Sequence, residues 1–501
     1  MTAHPVGTLR GTGSVRSTVP QRLDRLPWSG FHWRVVIALG ITWVLDGIEI
    51  TIAGSIADRL RDQHTLGLTS SQVGMTASIY LLGEVVGALV FGRLADRLGR
   101  RKLFIVTLGV YLLGNALTAV APGFAFFAVT RFIAGTGIGG EYAALNSAID
   151  ELIPSRHRGH ADLAVNSTYW LGAMIGAASN LLFLNPHLFG LDIGWRLGLL
   201  VGPAIGAAIW GLRRNLPESP RWLLTHGRPE EAERIVTEIE EKVERGGARL
   251  EPVPESRAME YRRRPPVGYR ELARILFRDY RKRSVLGFML MVTQSFLFNA
   301  IFFTYSLILA EFYDIRDGAV AYFIFPFAVG NLVGPLVLGR YFDSLGRRRM
   351  IGTTYCVSGV LLLVTGWLFA EGLLSAVTQT LLWCVIFFIA SAAASSAYLT
   401  VSEVFPVEMR AQAISFFFAL SMLFGGVVAP WLFATLIGGG SDPWRVFAGY
   451  AVGGVLMVLG GLTAFRWGVD AERRPLEEVA VPLSASGLTE QGPPAAGPAR
   501  A

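Results

Sequence analysis

Apolar residues in this chain run in long blocks rather than in the short amphipathic segments of a water-soluble domain. Leu103–Ala121, Leu197–Leu212 and Ile351–Ala370 are examples. At about 1.5 Å per residue, each block approaches the length needed to cross a hydrocarbon layer of about 30 Å. The pattern predicts an all-α, polytopic membrane protein with twelve transmembrane helices in two sets of six. The first set is expected at 33–57, 72–94, 103–121, 124–149, 162–184 and 195–212, and the second at 284–309, 319–341, 351–370, 375–401, 411–437 and 444–467. The chain then divides into an N-terminal segment (1–32), a six-helix half (33–212), a central loop (213–283), a second half (284–467) and a tail expected to be disordered (468–501). In the central loop, Pro229–Arg245 carries Ala232, Ile235, Val236, Ile239 and Val243 at helical spacing. This predicts an amphipathic helix on the membrane surface or against the bundle. The low-complexity tail after Leu483 is expected to be disordered.

Composition supports this picture: 52% of residues are hydrophobic and only 17% charged, where soluble domains carry roughly 25%. The formal charge of +7 raises a nucleic-acid partner, but placement argues for lipid. The loop after the second span holds Arg93, Arg97, Arg100, Arg101 and Lys102, and that after the eighth holds Arg340, Arg347, Arg348 and Arg349. Opposite gaps are nearly bare; the exception, Arg59 and Arg61, is offset by Asp58 and Asp62. The positive-inside rule makes the basic loops and both termini cytoplasmic, in a multi-pass protein of the cell (plasma) membrane. The polar, basic residues 1–32 show no separate apolar region, so the first span is expected to be retained. Cys356 and Cys384 lie in apolar blocks with neither metal-ligand nor disulfide spacing, so neither a metal nor a cofactor is expected.

Two motifs recur in the same order. Gly92-Arg-Leu-Ala-Asp96-Arg-Leu-Gly99-Arg-Arg101 returns as Gly339-Arg-Tyr-Phe-Asp343-Ser-Leu-Gly346-Arg-Arg348. Glu151-Leu-Ile-Pro154-Ser-Arg-His-Arg158 returns as Glu403-Val-Phe-Pro406-Val-Glu-Met-Arg410. Parallel halves related by an axis along the membrane normal are the expected geometry. On these residues, and on Pro217-Glu-Ser-Pro-Arg-Trp-Leu223, the chain resembles a major facilitator superfamily transporter over roughly 33–467. It is of the sugar-porter-like kind and closest in motifs to niacin-type, organic-ion and aromatic-acid/proton carriers. The resemblance implies a pseudo-symmetric six-plus-six fold acting as a monomer. It also implies a gating network of Asp96, Arg97, Arg101, Glu151, Arg158, Glu218, Arg221, Arg340, Asp343, Arg347, Glu403 and Arg410.

Ionised side chains inside a membrane are costly, by at least about 2.5 kcal/mol on insertion scales, and so are functional candidates. Asp46 and Glu49 lie one helical turn apart in the first span, Glu84 in the second, and Arg131 and Glu141 in the fourth. A dry carboxyl holds its proton, and an adjacent arginine strips it. A carboxyl that meets an arginine in one conformation only therefore couples protonation to movement. By resemblance to proton-linked sugar porters, Glu49 and Arg131 take that role. A static pair joining the two spans is the alternative, as is helix pinning for Glu84 and Glu141. Resemblance likewise points to Gln294 and Asn299 in the seventh span and Tyr398 in the tenth as substrate contacts. Asn166, Tyr169, Trp170, Phe298 and Phe302 are further candidates in an aromatic lining that suits a flat organic ion.

Thr293 and Ala394–Tyr398 depart from the sugar-porter pattern, and buried sugar hydroxyls without partners are expensive. The expected function is therefore proton-coupled symport of a small organic acid, with sugar or polyol symport second. Proton-coupled drug efflux and a non-transporting sensor follow. No phosphate-binding loop or nucleophile cluster points to an enzyme.

Overall fold

The computed structural model describes residues 14–484 except 186, 215, 263–266, 316–319, 430–431, 434–435 and 437–441. Among these, twelve long helices follow the apolar blocks. They are α1 Gly30–Ser55, α2 Ser70–Leu98, α3 Arg100–Ala119, α4 Phe124–Leu152, α5 Arg158–Phe183 and α6 Leu191–Arg214. The second set is α7 Arg281–Tyr313, α8 Val320–Ser344, α9 Arg347–Ala370, α10 Ala376–Glu403, α11 Arg410–Val428 and α12 Pro443–Trp467. Nine of the described helices meet strict length and apolarity requirements for crossing a membrane. Large apolar side chains such as Leu113, Leu181, Val360 and Leu381 stand exposed on outer faces, where lipid is their natural solvent. Most helices run a few residues past the sequence-expected ends on the basic side, because charged residues there are bound to one another. The end expected for α11 at 437 falls outside the described residues.

Within each half, small residues let helices approach closely. Gly83 and Gly87 on α2 face Gly135 and Gly139 on α4, and a Cβ on any of the four would collide with a backbone carbonyl of the other helix. In the second half, Gly352 and Gly359 lie where α9 meets α12. The halves meet through two equivalent pairs, α2 with α11 and α8 with α5. That exchange is the packing form of the sequence repeat.

The basic side carries a small cap. Strand β1 (Ser14–Ser17) pairs antiparallel with β2 (Met259–Arg262). Short helices Val19–Asp24 and Pro220–Thr225 pack on the amphipathic helix Pro229–Arg245. Ala232, Val236, Ile239 and Val243 are buried among Val19, Leu23, Trp222 and Tyr261. The amphipathic helix thus faces the protein, not a lipid surface. Arg22 bridges Glu233 and Glu240 at 2.5 Å each. Burial works against the charged form of Glu240, but hydrogen bonds from Arg22 and Arg25 bring its carboxyl below its ordinary value.

The C-terminal tail departs from expectation over its first part. Helix Leu476–Val479 is buried on the bundle, and Glu408 accepts from the Leu483 and Ser484 backbone N–H groups at 3.1 and 2.9 Å. Residues 485–501 lie outside the described residues.

Replacing Gly87 with leucine forces α2 off α4 and should destabilise the bundle by about 1–3 kcal/mol or more. Denaturation of the detergent-solubilised protein checks this, and an unchanged midpoint would contradict the packing account.

Candidate functional site

A cavity of about 160 Å³ lies between the halves. Helices α1, α2, α4 and α5 form one wall, and α7, α10 and α11 the other. Seven of the substrate contacts expected from sequence line it: Asn166, Tyr169, Trp170, Gln294, Phe298, Asn299 and Tyr398. The side chain of the eighth, Phe302, lies outside the described residues. Trp43, Tyr142 and Phe418 were not expected, yet they build an aromatic frame with Tyr398. Trp43 lies 4.7 Å from Tyr142 and 5.6 Å from Tyr398, and Tyr142 lies 4.5 Å from Phe418, centroid to centroid. Trp43 could have been found as the residue one turn before Asp46, and Tyr142 as the neighbour of Glu141. Ser391 and Ser395 on α10 complete the polar part of the wall.

The buried charges separate into two groups. Asp46 and Glu84 line the cavity, and Tyr142 donates its hydroxyl to Asp46 Oδ2. Glu49 faces away from it. Its Oε1 accepts from Arg131, its Oε2 accepts from Asn115 on α3 at 2.7 Å, and the Arg131 guanidinium sits 4.4 Å over the Tyr80 ring. The three-residue spacing that suggested one shared face for Asp46 and Glu49 thus serves two neighbours. The intervening 60° of rotation turns one toward the cavity and the other toward α3 and α4. Glu141 is fully buried on α4 and does not line the cavity.

Below the cavity, on the basic side, the repeated motifs meet. Asp96 accepts from the backbone N–H of Gln412 at 3.0 Å, at the start of α11 in the other half. Its counterpart Asp343 accepts from Gly159 and His160 at 3.2 and 2.8 Å, at the start of α5. A carboxylate at a helix N-terminus satisfies orphan N–H groups and complements the helix dipole. Around each aspartate stands an arginine–glutamate set. Arg100 binds Asp96 at 3.1 Å and Glu151 at 2.9 Å, and Arg410 reaches Glu151 from the other half at 3.3 Å. Arg347 binds Asp343 at 2.7 Å and Glu403 at 3.0 Å, with Arg158 crossing over to Glu403 at 3.5 Å.

Not every arginine expected in the network is buried in it here. Arg100, aligned with Arg347, is the buried member, whereas Arg97, Arg101 and Arg340 are exposed. Arg101 meets the cluster through its backbone N–H on Glu218, at 3.3 Å. Arg340 donates to the hydroxyl of its neighbour Tyr341.

Glu218 also accepts the Arg100 backbone N–H at 2.9 Å, capping α3 after Gly99, whose φ of 97° favours glycine. Glu472, not foreseen, does the same for Arg347 at 3.2 Å, after Gly346 at φ 105°. Arg221 ties the cap and tail together, reaching Asp24 at 3.0 Å and Glu477 at 2.8 Å. Asp24 and Glu477 sit in segments whose sequence carried no motif.

Removing one partner from a buried pair leaves an uncompensated charge and costs about 3–5 kcal/mol. Asp96→Asn should therefore insert normally but lose transport, because it removes the negative charge that faces Arg100 and the N-terminus of α11. Protease-protected, correctly targeted protein with full transport would contradict a gating role.

Residues 46–481 match the family model described as "Sugar (and other) transporter". The chain is 32% identical over 219 residues to the niacin transporter NiaP of Acinetobacter baylyi, covering 44% of this chain and 48% of NiaP. It is 32% identical over 232 residues to the putative metabolite transport protein YyaJ of Bacillus subtilis, covering 46% and 49%. The chain thus spans about half the length of these curated relatives. In fold it is similar to the proton:xylose symporter XylE bound to 6-bromo-6-deoxy-D-glucose, with a TM-score of 0.72 and 18% identity over 90% of this chain and 98% of that one. Against a partially occluded inward open conformation of XylE from E. coli the TM-score is 0.61, with 17% identity over 87% and 99%. With a cavity between two six-helix halves and the family model spanning both, the chain belongs to the sugar (and other) transporter family, a multi-pass membrane protein of the major facilitator superfamily.

Proposed function

We propose that this chain carries a small organic solute across the membrane together with a proton, by alternating access of the central cavity. The observation that carries this reading is the Glu49–Arg131–Asn115 cluster, buried one helical turn from the cavity residue Asp46. Glu49 binds its proton when α1 and α4 shift and Arg131 withdraws, and Arg131 expels the proton when it returns. The paired Asp96 and Asp343 clusters close one end of the pathway while the solute enters from the other. With the basic loops cytoplasmic, as charge placement supports, the closed end is the inner one. One chain supplies both walls and both gate copies, so a monomer suffices. The XylE name includes proton symport, and NiaP is named for niacin; both agree with small-solute carriage.

The organic acid favoured by the sequence meets a specific condition here. The described cavity wall contains two carboxyls and no arginine, lysine or histidine. An anion can enter only if Asp46 and Glu84 carry protons. A sugar has Asn166, Gln294 and Asn299 as partners and is the second reading.

In liposomes with an imposed pH gradient, labelled nicotinate, nicotinamide, N-methylnicotinamide, benzoate and hexose are screened for uptake. For whichever solute the wild type accumulates, Glu49→Gln should abolish uphill accumulation and keep counterflow exchange. Undiminished gradient-driven accumulation in Glu49→Gln would overturn proton carriage by Glu49.

A further inference from the structure

The described cavity wall carries two carboxyls with no basic side chain beside them, and among its polar atoms without a partner are carboxyl and amide oxygens and the indole N–H of Trp43. Asp46 and Glu84 are 1% and 2% exposed, and Asp46 Oδ1 and Glu84 Oε1 are buried without a hydrogen-bond partner. Asn166 adds a third such acceptor, its Oδ1, while its amide nitrogen donates to the Asp162 carbonyl at 2.8 Å. Asn299 likewise spends its amide on Ser295, at 2.7 Å to the carbonyl and 3.1 Å to the hydroxyl. The Tyr142 hydroxyl is given to Asp46. The buried Arg131 guanidinium on α4 is held by Glu49.

Buried carboxyl oxygens with no partner and no opposite charge beside them are expensive, so this wall is completed either by protons or by a ligand that brings positive charge and N–H groups. The aromatic frame separates these possibilities. Trp43, Tyr142, Tyr398 and Phe418 pack against one another with ring centroids 4.5–6.5 Å apart, and all four line the cavity that Asp46 also lines. Ring faces attract a cation within about 6 Å, and more strongly where water is excluded. A proton on a carboxyl makes no use of such a frame. A sugar supplies hydroxyls but no positive charge to offset the two carboxyls.

We propose that the cavity binds a small organic cation, a protonated or N-methylated amine on a compact or flat body, with Asp46 as its counter-charge and Trp43, Tyr142 and Tyr398 as its cage. This names the cargo of the transport reading above, on which it rests, and it replaces the organic acid.

Three probes share one ring and differ mainly in charge: nicotinate, nicotinamide and the cation N-methylnicotinamide, methylated at the ring nitrogen. Binding of each to the purified full chain is measured by equilibrium dialysis, with no gradient present. N-methylnicotinamide should bind at least about tenfold more tightly than nicotinamide, and nicotinate most weakly. Asp46→Asn should bring the cation-to-neutral ratio toward one, and Asp46→Glu should retain a preference for the cation. If Asp46→Asn does not fold, the wild-type order alone decides. Nicotinate binding as tightly as the cation, no saturable binding of the cation, or an Asp46→Asn effect equal on all probes would overturn the proposal. Because no gradient is used, such a failure leaves proton-coupled transport standing. Failure of the Glu49→Gln assay in turn leaves the ligand preference standing.

Discussion

Two buried aspartates, each seated on the first N–H groups of a helix that belongs to the other half, hold this structure in its present shape. Asp96 seats α11 and Asp343 seats α5. Helix N-termini have N–H groups with no partner inside the helix, and in a dry interface something must satisfy them. Here the partner is supplied across the boundary between halves, twice, by equivalent residues. The arginine–glutamate sets around each aspartate make every member costly to leave alone. A cluster of this kind is fully formed or fully dismantled, which is the behaviour a gate needs.

Single helices join the two clusters to the cavity. On α10, Tyr398 in the cavity wall precedes the cluster residue Glu403 by five positions. Along α4, Tyr142 precedes Glu151, and on α5 Asn166 follows the N-terminus seated by Asp343. Helix α11 runs from its seat on Asp96 past Phe418 to Met422, where it changes to a π-helical turn at the cavity wall. Such turns often mark functional sites. A separation of the halves on the basic side would therefore carry Tyr142 and Asn166 away from Tyr398 and Phe418. Close glycine packing ties α2 to α4 within the first half.

Much of this was legible in the sequence, and for physical reasons. Apolar blocks must span, and the repeat had to place Asp96 and Asp343 equivalently. An ionisable residue inside a span is costly enough to stand out, which singled out Glu49, Arg131, Asp46 and Glu84. Side-chain direction was less accessible. Three residues separate Asp46 from Glu49, yet one meets the cavity and the other meets Asn115 and Arg131. Arg100 and Arg101 are adjacent in a basic run, and only the fold decides which points inward. Trp43 was hidden because one more aromatic in an apolar block carries no signal. Asp24, Glu477 and Glu408 act through segments distant in the chain, and pairing across such distances leaves no local pattern.

The central claim is that the mirrored aspartate seats hold the two halves together on the basic side. Spin labels at Arg97→Cys and Ser344→Cys, on exposed ends of α2 and α8, report that separation by electron–electron resonance once Cys356 and Cys384 are replaced. A single short distance is expected with both seats intact, and a shift to longer distances when Asp96→Asn and Asp343→Asn are combined. An unchanged distance distribution in the doubly neutralised protein would contradict the account.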